Sequence, residues 1–210
     1  MKKEKFRIKK SNFNDWNEVF KNPGPIAVKS FITGHVTLNK RGTLNPDHPN
    51  AGEIKDELLK VPILAHWIHH SVYGNYLVDA GLDSSYYEDP FGKMKGIFAG
   101  LFKKLKLFGD EYFQKRNQDI LYHLQKNSVN LKGVFLSHLH SDHIAGIRDL
   151  PKDIFYVVGR GEEYVNHKPF FYGDYFKGIE VLYEIDFFET PTMPILGSCA
   201  DIFGDSSFWA

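Results

Sequence analysis

The stretch Ser137-His138-Leu139-His140-Ser141-Asp142-His143 follows directly on the apolar run Val134-Phe135-Leu136. No other feature constrains the chain so tightly. A short, wholly apolar run reads as a strand covered on both faces, and the loop leaving the C-terminal end of such a strand is where α/β folds place ligand groups. His138 and His140 are two residues apart, so in an extended stretch they project to the same side. Asp142 and His143 arrive as the chain turns toward a helix. Four nitrogen and oxygen donors thus fall within six residues, a set suited to zinc and also to iron or manganese. A satisfied polar loop is the bland alternative, and a lone histidine would deserve it.

The His-x-His-x-Asp-His pattern resembles the metal motif of the metallo-β-lactamase fold. Tyr76-Leu77-Val78-Asp79-Ala80-Gly81 agrees, resembling that family's earlier motif of a strand ending in Asp and a Gly turn. The long interval between the two, and Val61-Pro62-Ile63-Leu64-Ala65, look like the N-acyl-homoserine-lactonase branch. The resemblance implies an α/β protein, an αββα sandwich of two sheets with helices outside. It implies two zinc ions, with iron or manganese as substitutes. His138 and His140 would bind the first ion, and Asp142 and His143 the second. Asp79 would orient a ligand or water from behind. The implied reaction is attack of a metal-bound hydroxide on a lactone or another ester or amide. Asp142 would be the catalytic residue, holding the water and relaying its proton.

The resemblance also implies later ligands: a further His, a bridging Asp and a last His. Residues 144–210 contain one histidine, His167, whose neighbours do not match. Asp201 to Ala210 resembles the hairpin before the next metal ligand. The expectation is a chain stopping short of the last strands and helix, with weak or partial metal binding. A non-catalytic fragment of this fold is therefore the alternative. Another is a same-fold thioesterase, phosphodiesterase or iron sulfur dioxygenase.

Composition narrows the rest. The 210 residues are 42% hydrophobic, enough for a sizeable core, and balance 26 basic against 26 acidic side chains. A phosphate-neutralising nucleic-acid binder would show a basic excess, so a small-molecule substrate is expected and nucleic acid is not. One cysteine, Cys199, excludes a disulfide framework and fits a reducing, cytoplasmic setting. Cys199 itself reads as a small buried residue. Residues 1–25 read as an N-terminal arm and 26–210 as the domain, and the oligomeric state is open.

Strands are expected over Ile26–Ile32, Val61–Ile68, Tyr76–Val78, Leu131–Leu136, Ile154–Val158, Ile179–Leu182 and Ile185–Phe188. Phe91 to Phe108 carries five lysines, no acid and an apolar face at helical spacing. That predicts a helix packed on its domain, with a substrate lid or membrane contact as alternatives. Glu111 to Lys126 predicts a second amphipathic helix. His69 and His70 are adjacent, point to opposite sides of a strand and are expected at the surface.

Overall fold

The computed structural model describes residues 1–12, 15–21, 24–43, 45, 47–101, 111–164, 166–195 and 197–210. The helices include α1 (Trp16–Lys21), α2 (Ile120–Lys126) and α3 (Ser141–Ile144). The first strands are β1 (Lys2–Lys5), β2 (Ile26–Asn39), β3 (Leu58–His70), β4 (Gly74–Val78), β5 (Glu111–Phe113) and β6 (Leu131–Leu136). The rest are β7 (Phe155–Gly159), β8 (Asn166–His167), β9 (Phe171–Tyr172), β10 (Val181–Ile185), β11 (Thr192–Met193) and β12 (Gly197–Ser198).

Eight strands form one sheet in the order β1-β10-β7-β6-β4-β3-β2-β5. From β1 to β4 neighbours run parallel, and from β4 to β5 they run antiparallel. The expected α/β class is met. β6 shows why the apolar run is a central strand: five of its six residues are buried. Val134 and Leu136 share a core with Leu77, Tyr156 and Leu182, closed by Ile120 and Leu124 of α2 and by Ile144 and Ile147. Phe135 and Val157 belong to a second core, where Ala200, Ile202 and Phe203 of the C-terminal segment meet Phe6 and Ile8. No helix among the described residues is long and apolar enough to cross a membrane.

Several sequence expectations are corrected. The strand expected over Ile26–Ile32 continues to Asn39, because β3 pairs with it along its whole length. Glu111 to Lys126 is not one helix. Its first three residues are β5, paired with His35–Thr37 of β2, and Asn117 at φ 59° interrupts the chain. The helix begins only where Asp119 accepts a hydrogen bond from the Tyr122 amide and caps it. The two strands expected between Ile179 and Phe188 are the single β10, followed by a 3-10 turn.

Residues 91–98 are turns rather than helix. The amides of Lys95, Ile97 and Phe98 donate to Tyr172, Pro169 and Phe170, and Gly92 and Gly96 have positive φ. Residues 99–101 are helical, as expected, and the remainder of the expected 91–108 helix, with Phe102, Leu105 and Phe108, lies outside the described residues. His70 is not at the surface. It is fully buried, its Nδ1 accepts from the Val72 and Tyr73 amides, and its Nε2 donates to Asp205 at 2.8 Å.

Candidate metal centre

β4 and β6 are parallel neighbours in which Val78 stands opposite Phe135. The residues that follow, Asp79 and Ser137, therefore leave the same edge of the sheet side by side. Asp79 takes a left-handed φ of 60°, rare for a residue with a side chain and of the kind found at functional sites. Its amide donates to the Phe135 carbonyl at 2.8 Å. The loop is then fastened once to α3 and once to the 3-10 turn that follows it: Ala80 N–H donates to His143 O (2.7 Å) and Gly146 N–H to Gly81 O (2.8 Å). The approach is so close that a Cβ on Gly146 would lie 2.2 Å from the Ala80 carbonyl oxygen. Gly81, at φ 56°, has equally little room: its Cβ would fall 2.2 Å from Thr33 Oγ1.

This fastening aims the side chains. Leu139 is buried while His138 is half-buried and His140 exposed, so the alternation expected of the His-x-His pair holds. The His138 ring centroid lies 4.5 Å from that of His140 and 4.0 Å from that of His143. Asp79 is nearly buried and has four contacts with three donors. Its Oδ1 takes the Ser137 amide (2.8 Å) and hydroxyl (3.0 Å), and its Oδ2 takes that hydroxyl (2.8 Å) and His143 Nδ1 (2.7 Å). His143 Nε2 in turn lies 3.4 Å from Asp142 Oδ2.

The charges follow from these contacts. Burial works against a charged His143, but its two carboxylate partners, Asp142 and Asp79, carry its pKa up to about 9. Burial likewise opposes ionisation of Asp142, and the His143 contact outweighs it, holding the carboxyl below its ordinary range. His138 is pushed down by burial and by the neighbouring His143 and His140.

The donor set fits a divalent ion in one specific respect. With Nδ1–H committed to Asp79, the nitrogen left to bind is Nε2, and the carboxylate behind the ring fixes its orientation. Two ligands of one tetrahedral zinc, bonded at about 2.0–2.1 Å, stand about 3.3–3.4 Å apart. The Nε2–Oδ2 separation of 3.4 Å has that value. Among the described residues, no three His, Cys, Asp or Glu side chains converge as they stand into a complete ion-binding group.

All five residues singled out in the sequence, Asp79, His138, His140, Asp142 and His143, come together here. His35, His48 and His167 stay outside the cluster: His35 of β2 pairs with Phe113 of β5, and His167 of β8 pairs with Phe171 of β9. Sequence reasoning gave Ser137 no role, yet its hydroxyl also lies 3.0 Å from His138 Nδ1. A hydroxyl directly after the strand, one residue before the first histidine, is the signal that could have marked it.

The model of the metallo-beta-lactamase superfamily matches residues 62–206. Among solved structures, a probable metal-dependent hydrolase from Staphylococcus aureus is similar at 18% identity and a TM-score of 0.48. The similarity covers 77% of this chain and 60% of that one, so the chain spans less than two thirds of that protein's length. No curated protein matches.

Proposed function

The chain belongs to the metallo-beta-lactamase superfamily, and from that premise we propose that it is a metal-dependent hydrolase of a lactone or another small ester or amide. The observation that carries the proposal is the line Asp79–His143–Asp142, with Oδ2···Nδ1 at 2.7 Å on one side of the imidazole and Nε2···Oδ2 at 3.4 Å on the other. In this reading His143 Nε2 and Asp142 hold one ion, and His138 and His140 hold a second, zinc being the ion best suited to the donors. Bound there, the ions supply Lewis acidity to a water and to the carbonyl under attack.

The remaining work falls to the chain. Asp79 keeps the proton on Nδ1 and turns the ring. Ser137 keeps Asp79 in place. Asp142, held ionised, accepts the proton of the attacking water and returns it to the leaving oxygen. The preference for an acyl substrate rests on Ile97, Phe98 and Leu101, which stand exposed on one segment. A second reading, a binding protein without turnover, is favoured by one observation: among the described residues no three donors converge as they stand.

The test is elemental analysis of the purified protein after equilibration with zinc, iron or manganese. It is followed by assay on lactone, ester, thioester and phosphodiester substrates beside Asp142→Asn. Retained metal with lactone or ester hydrolysis that falls at least a hundredfold in the variant is the expected result. Retained metal without turnover of any substrate favours the second reading, and no retained metal sinks both.

A further inference from the structure

Apart from the histidine cluster, one cavity gathers positive charge around a buried arginine. Arg148 lies on the 3-10 turn Ala145–Asp149 that follows α3, and its side chain is 10% exposed. Its Nη1 donates to Asp83 Oδ2 at 2.7 Å. Asp83 is itself fully buried and also caps the 3-10 turn Ser84–Tyr87 through the Ser85 amide. The Tyr175 ring lies against the guanidinium, 4.3 Å from its centroid. The other terminal nitrogen, Nη2, is buried and makes no hydrogen bond. Leaving a charged donor in that state is costly, and an acceptor brought to it would remove the cost.

The space beside Arg148, about 220 Å³, is lined by Lys93, Lys95, Asp174 and Lys177 as well. Lys95 and Lys168 both reach Asp174, at 3.0 and 3.3 Å, and Lys93 stands 3.8 Å from Asp149. Among the described residues Lys177 has no carboxylate within ion-pair distance. Five cations (Lys93, Lys95, Arg148, Lys168, Lys177) thus meet three carboxylates (Asp83, Asp149, Asp174), an excess of two positive charges.

We propose that this cavity binds a dianionic oxyanion, a phosphate group that is either free or carried on a small ester. Arg148 Nη2 would be its buried donor, and Lys93, Lys95 and Lys177 its charged mouth. Two observations point to a dianion: the charge excess is two, and the guanidinium keeps one buried nitrogen without a hydrogen-bond partner. Asp83 and Tyr175 hold the fork in place before the ligand arrives, which lowers the entropic cost of binding. The site goes beyond the hydrolase proposal and does not depend on it.

The test is calorimetry on the full chain with inorganic phosphate, glycerol phosphate and acetate at fixed ionic strength. Lys177→Glu and Arg148→Lys are measured alongside, and Asp142→Asn serves as a positional control. Saturable phosphate binding is expected, at least tenfold weaker in both Lys177→Glu and Arg148→Lys and unchanged in Asp142→Asn. Lys177 is exposed, so its loss of binding cannot be ascribed to unfolding. Tighter binding of glycerol phosphate identifies an ester as the ligand, and equal binding identifies free phosphate. Three outcomes would overturn the proposal: no saturable binding, acetate binding as tightly as phosphate, or binding lost in Asp142→Asn but kept in Lys177→Glu, which would put the anion at the histidines.

Discussion

Asp79 shows how much one carboxylate can organise. It sits at a φ that costs energy, and three donors, the Ser137 amide and hydroxyl and the His143 imidazole, over-determine it there. Its bond to His143 Nδ1 leaves Nε2 as the donor to an ion. Asp79→Asn would keep the shape while offering an amide nitrogen or a weaker acceptor to the ring. Removing such an orienting partner typically lowers metal affinity about 10–100-fold. We expect that loss in competition titrations against a chelator, with the fold retained by circular dichroism. Ser137→Ala leaves Asp79 with the amide bond and the imidazole, so its loss should be smaller, about threefold to tenfold. Equal affinities in wild type and Asp79→Asn would remove Asp79 from the site. The histidines and Asp142 were legible because they are contiguous. Ser137 was not, because its role depends on a residue 58 positions earlier that only strand pairing brings beside it.

At the scale of elements, the site depends on how closely the loop after β4 lies on α3 and its continuation. Gly146 is the point of closest approach, and a methyl there meets the Ala80 carbonyl, a backbone atom that cannot swing aside. Gly146→Ala should therefore separate loop from helix, with an overpacking cost of about 1–3 kcal/mol. It should also displace His143 relative to Asp79. Urea unfolding gives the stability loss and chelator competition gives the metal loss, and both are expected in the same variant. A stable Gly146→Ala with unchanged metal affinity would show that the contact does not position the site. Legibility divides along the same line. β6 was read to the residue because all but Lys132 of it is apolar and five of its six residues are buried. β5 was read as helix because Glu111-Tyr112-Phe113 becomes a strand only through its pairing with β2, some 75 residues earlier.

For the whole molecule, the C-terminal segment closes the second face of the sheet, and two aspartates hold its shape. Asp201 accepts from the Gly204 and Ser206 amides and from Ser11 Oγ, and Asp205 ties the segment to His70 on β3. That tie spans 135 positions, which is why His70 read as a surface residue: Asp205 and Phe203, which close over it, lie far along the chain. The Asp205 carboxyl lies below its ordinary range, burial opposing this and the bonds from Ser207 and His70 outweighing it. Asp174 and Asp186 are lowered by Lys95 and Arg160 respectively. A carboxyl whose folded pKa is depressed adds stability above its unfolded value, about 3.9, and loses it as pH falls through the folded value. The urea midpoint of the metal-free protein should therefore fall between pH 5 and pH 3. Asp205→Asn removes one contributor, so it should be less stable than wild type at pH 7 and should lose less between pH 5 and 3. Parallel pH profiles for the two proteins would mean that Asp205 titrates alike folded and unfolded. In that case the closure of the second face would rest on the packing of Phe203, Ile202 and Phe208 against Phe135 and its neighbours.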